Sequence, residues 1–321
     1  MALTVAEMAA GMKDKVMAGI IMQYARGSQL FQKISFEGTD SFTIKTWQNT
    51  SVTDAVFRSI GNAYTETKDK FSELNEGIYL LGGQIDVDRA LRLPGQREID
   101  AWAENLLLQS KRYQFGFTNT FINGDRAVDP DLFDGLKVRV EREFVAGGVG
   151  LDQVIEAAGL DLSASSANRQ VFLDHMETAM YEVDEGQVDL ILTSKKGLFT
   201  VNRVARREGL YDTTKDQFDR KVDLFRGIPI MEAGTKGDQT TQIITATEDN
   251  AGDGTGSTRT SFYFIRFGQR YIQGWQMHEP KRIYDDIIND GVTHRTVFEW
   301  PVGLSAFHRK SVVRLRGVIP L

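Results

Sequence analysis

Phe121-Ile122-Asn123-Gly124-Asp125, followed by Phe133-Asp134-Gly135-Leu136, closes a stretch that opens at Gln96, and the reading of this stretch decides the fold. Upstream of it Ile99, Trp102, Ala103, Leu106, Ser110, Tyr113 and Phe117 recur at spacings of three and four. That spacing predicts one amphipathic helix from Gln96 to about Asn119 with a mainly apolar stripe. Pro94-Gly95 punctuates its start, and Asn123-Gly124 predicts a position of positive φ where the chain turns back. Long helix, tight turn and short loop to a strand describe a framework and not a pocket.

Around this framework the bulk numbers are those of an ordinary folded protein. A chain of 321 residues exceeds the size at which one core is usual, so two or more domains are expected. Hydrophobic residues make up 41% and charged residues 26%, the balance of a soluble chain. No run approaches the roughly 20 apolar residues that span a bilayer, and Met1 to Ala10 lacks the basic-then-apolar order of a secretory signal. The expectation is action in the cytoplasm of the cell that makes it. The absence of cysteine excludes disulfides, thiolate zinc sites and cysteine nucleophiles. A net charge of −6 argues against a dedicated nucleic-acid binder, since affinity for phosphates rests on Lys and Arg.

Towards the N-terminus, Val5, Met8, Met12, Val16, Ile20 and Tyr24 keep near-helical spacing in a Met-rich segment, an adaptable surface suited to docking on a neighbour or packing as a terminal helix. From Ser41 the period becomes two, and Ile85 to Arg89 repeats it. Between them Gln48 to Gly77 is a long, charged, hairpin-like excursion, of a length that is uncommon unless it binds something or remains flexible. Towards the C-terminus the patterns predict a strand over Lys137–Phe144, helices over Leu151–Gly159 and Asn168–Asp184, a strand over Val188–Thr193 and a helix over Lys195–Glu208. Further strands are predicted over Phe225–Ile230, with Pro229 at an edge or strand end, and over Thr240–Thr247, Thr260–Phe267 and Tyr271–Trp275. The tail is extended over Arg295–Leu304 and Val312–Ile319. The sum is an α+β protein without regular βαβ order.

Motifs of catalysis are missing. Ala146 to Gly150 has neither the Lys-Ser/Thr of a phosphate loop nor the spacing of a dinucleotide fingerprint, and reads as a turn. Asp249 to Gly256 lacks the closing Glu of a calcium loop and reads as a solvated hairpin tip. His175, His278, His294 and His308 are far apart and have no helical-spacing partners. Arg203, Arg206 and Arg207 form a basic patch, either a solvated face or a surface that pairs with a neighbour's acids. No catalytic, cofactor-binding or metal residue is assigned, and no cofactor is expected.

The order of these elements, with Phe121-Ile122-Asn123-Gly124-Asp125, Phe133-Asp134-Gly135-Leu136, the Gly227-Ile228-Pro229 step and Gly317 in the closing strand, resembles the major capsid proteins of tailed bacteriophages with the Hong Kong 97 type shell fold. The resemblance covers almost the whole chain. It implies an N-terminal arm over 1–38, an extended two-stranded loop over 39–88 and a peripheral domain over 89–133 and 292–321 whose spine helix is 96–119. The remainder, 134–291, is implied to be an axial α/β domain. It further implies hexamers and pentamers of an icosahedral shell around packaged double-stranded DNA, assembled in the host cytoplasm, with portal and decoration proteins as partners. No long helical leader precedes the arm, so any scaffolding protein is expected to be separate. Some members join a loop lysine to an asparagine with a glutamate assisting. Lys68 and Lys70 match the lysine, but Gly291 to Arg295 holds no asparagine, only Asn289 nearby, so an uncross-linked shell is expected. Trp102 is expected to anchor the spine helix. An encapsulin-like compartment uses the same fold. A metal-dependent hydrolytic enzyme built on converging histidines, and a monomeric binding module, are the readings from other classes.

Overall fold

A computed structural model describes residues 3–4, 7, 19, 22, 28–51, 54–64, 66, 70–89, 101–143, 153–207, 212–215, 221–248, 258–288 and 291–321. In chain order the elements are β1 (Leu3–Thr4), α1 (Gln29–Lys33), β2 (Ser35–Gly38), β3 (Thr43–Ser51), β4 (Lys70–Gly77), β5 (Tyr79–Asp88) and α2 (Ala101–Asn123). There follow α3 (Leu136–Val138), which runs on as a π-helical turn over Arg139–Glu143, then β6 (Val154–Asp161), α4 (Ser166–Glu182), β7 (Leu190–Thr193) and α5 (Lys195–Arg207). The strands β8 (Asp212–Lys215), β9 (Lys221–Phe225), β10 (Ile228–Glu232), β11 (Thr260–Ile265), β12 (Ile272–Gln276), β13 (Lys281–Ile287), β14 (Thr293–Ala306) and β15 (Val312–Ile319) complete the order. The N-terminal spacing from Val5 to Tyr24, Pro94-Gly95, the Ala146–Gly150 turn, Asp249–Gly256, Lys68 and Asn289 lie outside the described residues.

Two sheets share these strands. The first has the order β1-β2-β12-β14-β13, with β5 also on β14, and the second has the order β6-β15-β11-β7-β10-β9-β8. The long strand β14 is the axis of the first sheet: it pairs with β5 from Thr293↔Asp88 to Val302↔Tyr79, with β13, and beyond Val302 with β12. β3 and β4 form a separate two-stranded hairpin in register from Thr43↔Gly77 to Ser51↔Lys70. Strands therefore open and close the predicted excursion.

The helix α2 runs to Asn123, past the expected end, because Tyr113, Phe117 and Phe121 continue the buried stripe at intervals of four. Phe117 stacks on Trp300 at 5.6 Å and meets Phe31 at 5.0 Å, so helix, first sheet and α1 share one aromatic core. That core continues through Phe121, Leu190, Tyr263 and Val312 into the second sheet. A second cluster forms on the far face of the second sheet, where Phe172, Met176 and Ala179 of α4 cover Phe262, Phe264 and Val313. Trp102 belongs to α2, but its side chain lies outside the described residues.

Several expectations are corrected. Lys137–Phe144 is helical through Glu143 and not a strand: Arg139, which a strand would place on the polar face with Lys137 and Glu141, is buried beside Val138 and Val140 and pairs with Glu76. Leu151–Gly159 is not a helix: Val154–Asp161 is a strand parallel to β15, with Ala158 and Gly159 at φ 49° and 77° where the register shifts. Pairing with a buried neighbour overrides local helix preference there. Phe225–Ile230 is not one strand but the turn of a hairpin, Arg226 and Gly227 at φ 49° and 82° giving the two positive values of a tight β-turn. Thr240–Thr247 makes only the bridge Thr235↔Gln242 at its edge. Gly124 is not at positive φ; a Cβ there would lie 2.2 Å from Phe133 O, so close backbone passage is what requires glycine. The expected division at 291 and 292 does not follow the sheets, because β15 lies in the second and β12 and β13 lie in the first.

Candidate functional site

The hairpin β3–β4 ends in residues 54–64, all exposed. Phe57 is 101% and Ile60 104% accessible, Val56 and Tyr64 are exposed with them, and Trp47 and Phe42 are exposed nearer the root. Covering a side chain of that size is worth about 1.5–3 kcal/mol. Such a cluster at the end of a projecting ribbon has the character of a contact surface. The tip holds its own shape: Arg58 lies over the Tyr64 ring at 5.0 Å and donates to Asn62 O at 3.1 Å.

The root of the hairpin is fixed by buried charge. Arg139, fully buried, donates through Nη1 and Nη2 to the Glu76 carboxylate at 2.5 and 2.9 Å, through Nη2 to Leu304 O at 3.1 Å and through Nε to Asp134 O at 2.8 Å. The bidentate fork satisfies both carboxylate oxygens, which is the condition under which a buried pair is sustained. Beside it Arg126 bonds Asp134 at 3.0 Å and Asn75 O at 3.3 Å. The Asn-Gly-Asp and Phe-Asp-Gly words meet here: Gly135 N donates to Gly124 O at 2.9 Å, and Asn123 Nδ2 reaches Ile243 O at 2.9 Å. The words that carried the resemblance are thus the packing that seats the hairpin.

The same π-helical turn points a second charge the other way. Glu141 accepts from Arg314 and from Arg316 Nη1 at 3.3 Å, Arg316 Nε donates to Glu156 at 2.5 Å, and the buried Arg314 also reaches Glu248 at 3.1 Å. Tyr263 lies under Arg314, and burial pushes its hydroxyl well above the ordinary tyrosine value. Burial does the same to Tyr113 in α2.

The remaining candidates do not converge. Among the described residues no three His, Asp or Glu side chains gather as metal ligands. His278 lies beside Glu279 O, His294 is 3.5 Å from Asp285, His308 accepts from Lys310 N, and His175 sits on α4. Arg203 lies over the Phe199 ring at 5.8 Å, and Phe199 lines an open groove of about 810 Å³ with Ile319 and Leu321. Lys70 begins β4, its side chain outside the described residues. Sequence reading missed Glu76, Arg139, Glu141 and Arg314. The signal for Arg139 was a charge flanked directly by Val138 and Val140; Glu76 had none.

No family model and no curated protein sequence matches the chain. Solved structures do. The chain is similar to the SrpI encapsulin of Synechococcus elongatus PCC 7942 (TM-score 0.60, 12% identity, covering 91% of this chain and 87% of that one). It is also similar to the capsid of the native GTA particle (0.59, 14%, 90% and 89%) and to the capsid of Myoviridae phage XM1 (0.51, 12%, 89% and 89%). With phage capsid proteins among its structural neighbours over nearly its full length, the chain has the Hong Kong 97 type shell fold.

Proposed function

We propose that this chain is the major capsid protein of a tailed bacteriophage, assembling into hexamers and pentamers of an icosahedral shell that encloses packaged double-stranded DNA. The observation that carries the reading is the projecting hairpin, rooted by the Arg139–Glu76 pair and ending in wholly accessible Phe57 and Ile60. A shell needs many modest contacts, and a ribbon that reaches a neighbour with an apolar tip supplies one per copy. In this reading the arm is 1–38 and the extended loop 39–88. The peripheral domain is built on the first sheet with α2, and the axial domain on the second sheet, now including β15. The role is structural and not enzymatic. A separate scaffolding protein, portal and decoration proteins are the partners, with assembly in the host cytoplasm and residence in the virion.

The acidic balance of −6 supports enclosure of DNA without strong binding. We also propose that the shell is not covalently cross-linked: boiling in detergent should leave monomer, and a ladder of multimers would sink this. Negative-stain microscopy of the expressed protein, with scaffold supplied, tests the main reading. Uniform shells or tubes are expected, and a small monodisperse species overturns it. An encapsulin-like compartment is the second reading, favoured by the likeness to the SrpI shell. The content of purified particles, nucleic acid or protein, separates the two.

A further inference from the structure

The strand β13 ends the order of the first sheet, and all seven of its residues, Lys281 to Ile287, are exposed. Among the described residues no strand lies on its outer edge. Bulges and charges on such an edge ordinarily guard against pairing with another chain. Here the order of the charges points the other way. Lys281-Arg282 stands at one end and Asp285-Asp286 at the other, so two copies side by side attract when antiparallel and repel when parallel.

The bulge completes the match. The register on β14 passes from Arg282↔Phe298 to Tyr284↔Val297, which leaves Ile283 as the extra residue. Lys281, Tyr284 and Asp286 then face one side of the sheet, opposite Glu299, Val297 and Arg295, while Arg282 and Asp285 face the other. Without the bulge Lys281 and Asp286, five residues apart, would face opposite sides. With it, the ladder positions Lys281, Arg282, Tyr284, Asp285 and Asp286 read as a charge palindrome centred on Tyr284.

We propose that β13 is a self-pairing edge that joins two copies of this chain antiparallel about a two-fold axis at Tyr284. Each Lys281 meets the second copy's Asp286 and each Arg282 the second copy's Asp285, all on matching faces. Ile283 and Tyr284, 50% and 41% exposed, are covered by the contact. Within one chain Arg282 already donates to Asp285 at 2.7 Å, and Thr296 donates to the same carboxylate at 2.8 Å. The inference deepens the shell reading, on which it rests for the meeting of copies, and its partner is the chain itself.

Mixing separates this contact from the charges' roles within the chain. Lys281→Asp and Asp286→Lys each place like charges opposite each other in a self-pair, whereas a one-to-one mixture restores both opposite pairs. Self-association, measured by sedimentation and light scattering, should fall roughly tenfold or more in either variant alone and return in the mixture. Variants that associate like the unaltered protein, or a mixture that stays impaired, overturn the proposal. Should either variant fail to fold by its melting curve, Tyr284→Cys in a chain with no other cysteine keeps the test. It should form a disulfide dimer under mild oxidation, while Lys281→Cys, about 13 Å from its counterpart, lies beyond the ~7 Å limit for bridging. Equal dimer from both, or none from Tyr284→Cys, overturns the proposal. A Tyr284→Cys dimer without particles instead retires the shell reading and keeps the edge contact.

Discussion

β11 and the hairpin β3–β4 are both antiparallel, yet they place their apolar residues in opposite ways. All six residues of β11 are buried, between β7 and β15 and under α4, whereas the hairpin tip leaves Phe57 and Ile60 in water. The difference teaches that apolar side chains serve two separate equilibria in this molecule. Those of β11 hold the fold, and those of the tip, in the proposed shell, await association. The Arg139–Glu76 pair stands between the two, since it belongs to the core and yet determines where the tip points.

Substitutions along this line should show the division. Phe262→Ala in β11 opens a cavity in the buried core and should cost about 3 to 5 kcal/mol in urea unfolding, with assembly failing only because folding does. Arg139→Ala strands the Glu76 carboxylate among buried groups. It should cost about 3 to 5 kcal/mol and make the hairpin root sensitive to limited proteolysis. Unchanged cleavage at the root would show that the hairpin is held by other contacts. Gly135→Ala meets Thr120 O at 2.5 Å and Gly124 N at 2.8 Å, and overpacking should lower stability by about 1 to 3 kcal/mol in thermal melts.

Phe57→Ala should leave unfolding within about 0.5 kcal/mol of the unaltered protein, as exposed substitutions do, while particle yield by microscopy drops. Equal loss of both would erase the contrast drawn above. The smallest effect is expected in the loop at Asp238. Hydrogen bonds from the Thr241 hydroxyl and the Thr241 and Thr240 amides hold its carboxyl at about 2, below the ordinary 3.8. A depressed folded value gives stability that is present above about 3.8 and lost as pH falls towards 2. Asp238→Asn should lower the melting temperature slightly at neutral pH, where the contribution is fully present, and flatten its fall across that window.

Much of the fold was legible because periodicity is a local property. α2 showed its stripe, α4 and α5 their faces, and β15 its two ends to the residue. What failed was set by partners far away in sequence. Val154–Asp161 carries Ala157-Ala158-Gly159, residues without strong strand preference, and is a strand because β15 lies beside it. Lys137–Phe144 alternates like a strand, but it is helical through Glu143 and buries Arg139 with its apolar neighbours to meet a Glu76 far away in sequence. The candidate surface was legible in part: a long charged excursion marked the hairpin, while its root could not be seen, since Glu76 and Arg139 lie 63 positions apart. The self-complementary order of β13 was in the sequence throughout, but its meaning depends on a bulge that only the register on β14 reveals.

The length of β14 has a mechanical consequence. Its fourteen residues run about 46 Å as one covalent strand, paired on the way with β5, the continuation of the hairpin, and with the outer edge β13. A pull along β14 loads the ten paired positions of β5 together, in shear, and does not unzip them one by one. The molecule is therefore stiff along this line and compliant across it. Tension along this line would run through β14 while the hairpin root stays held beside it by the Arg139–Glu76 pair.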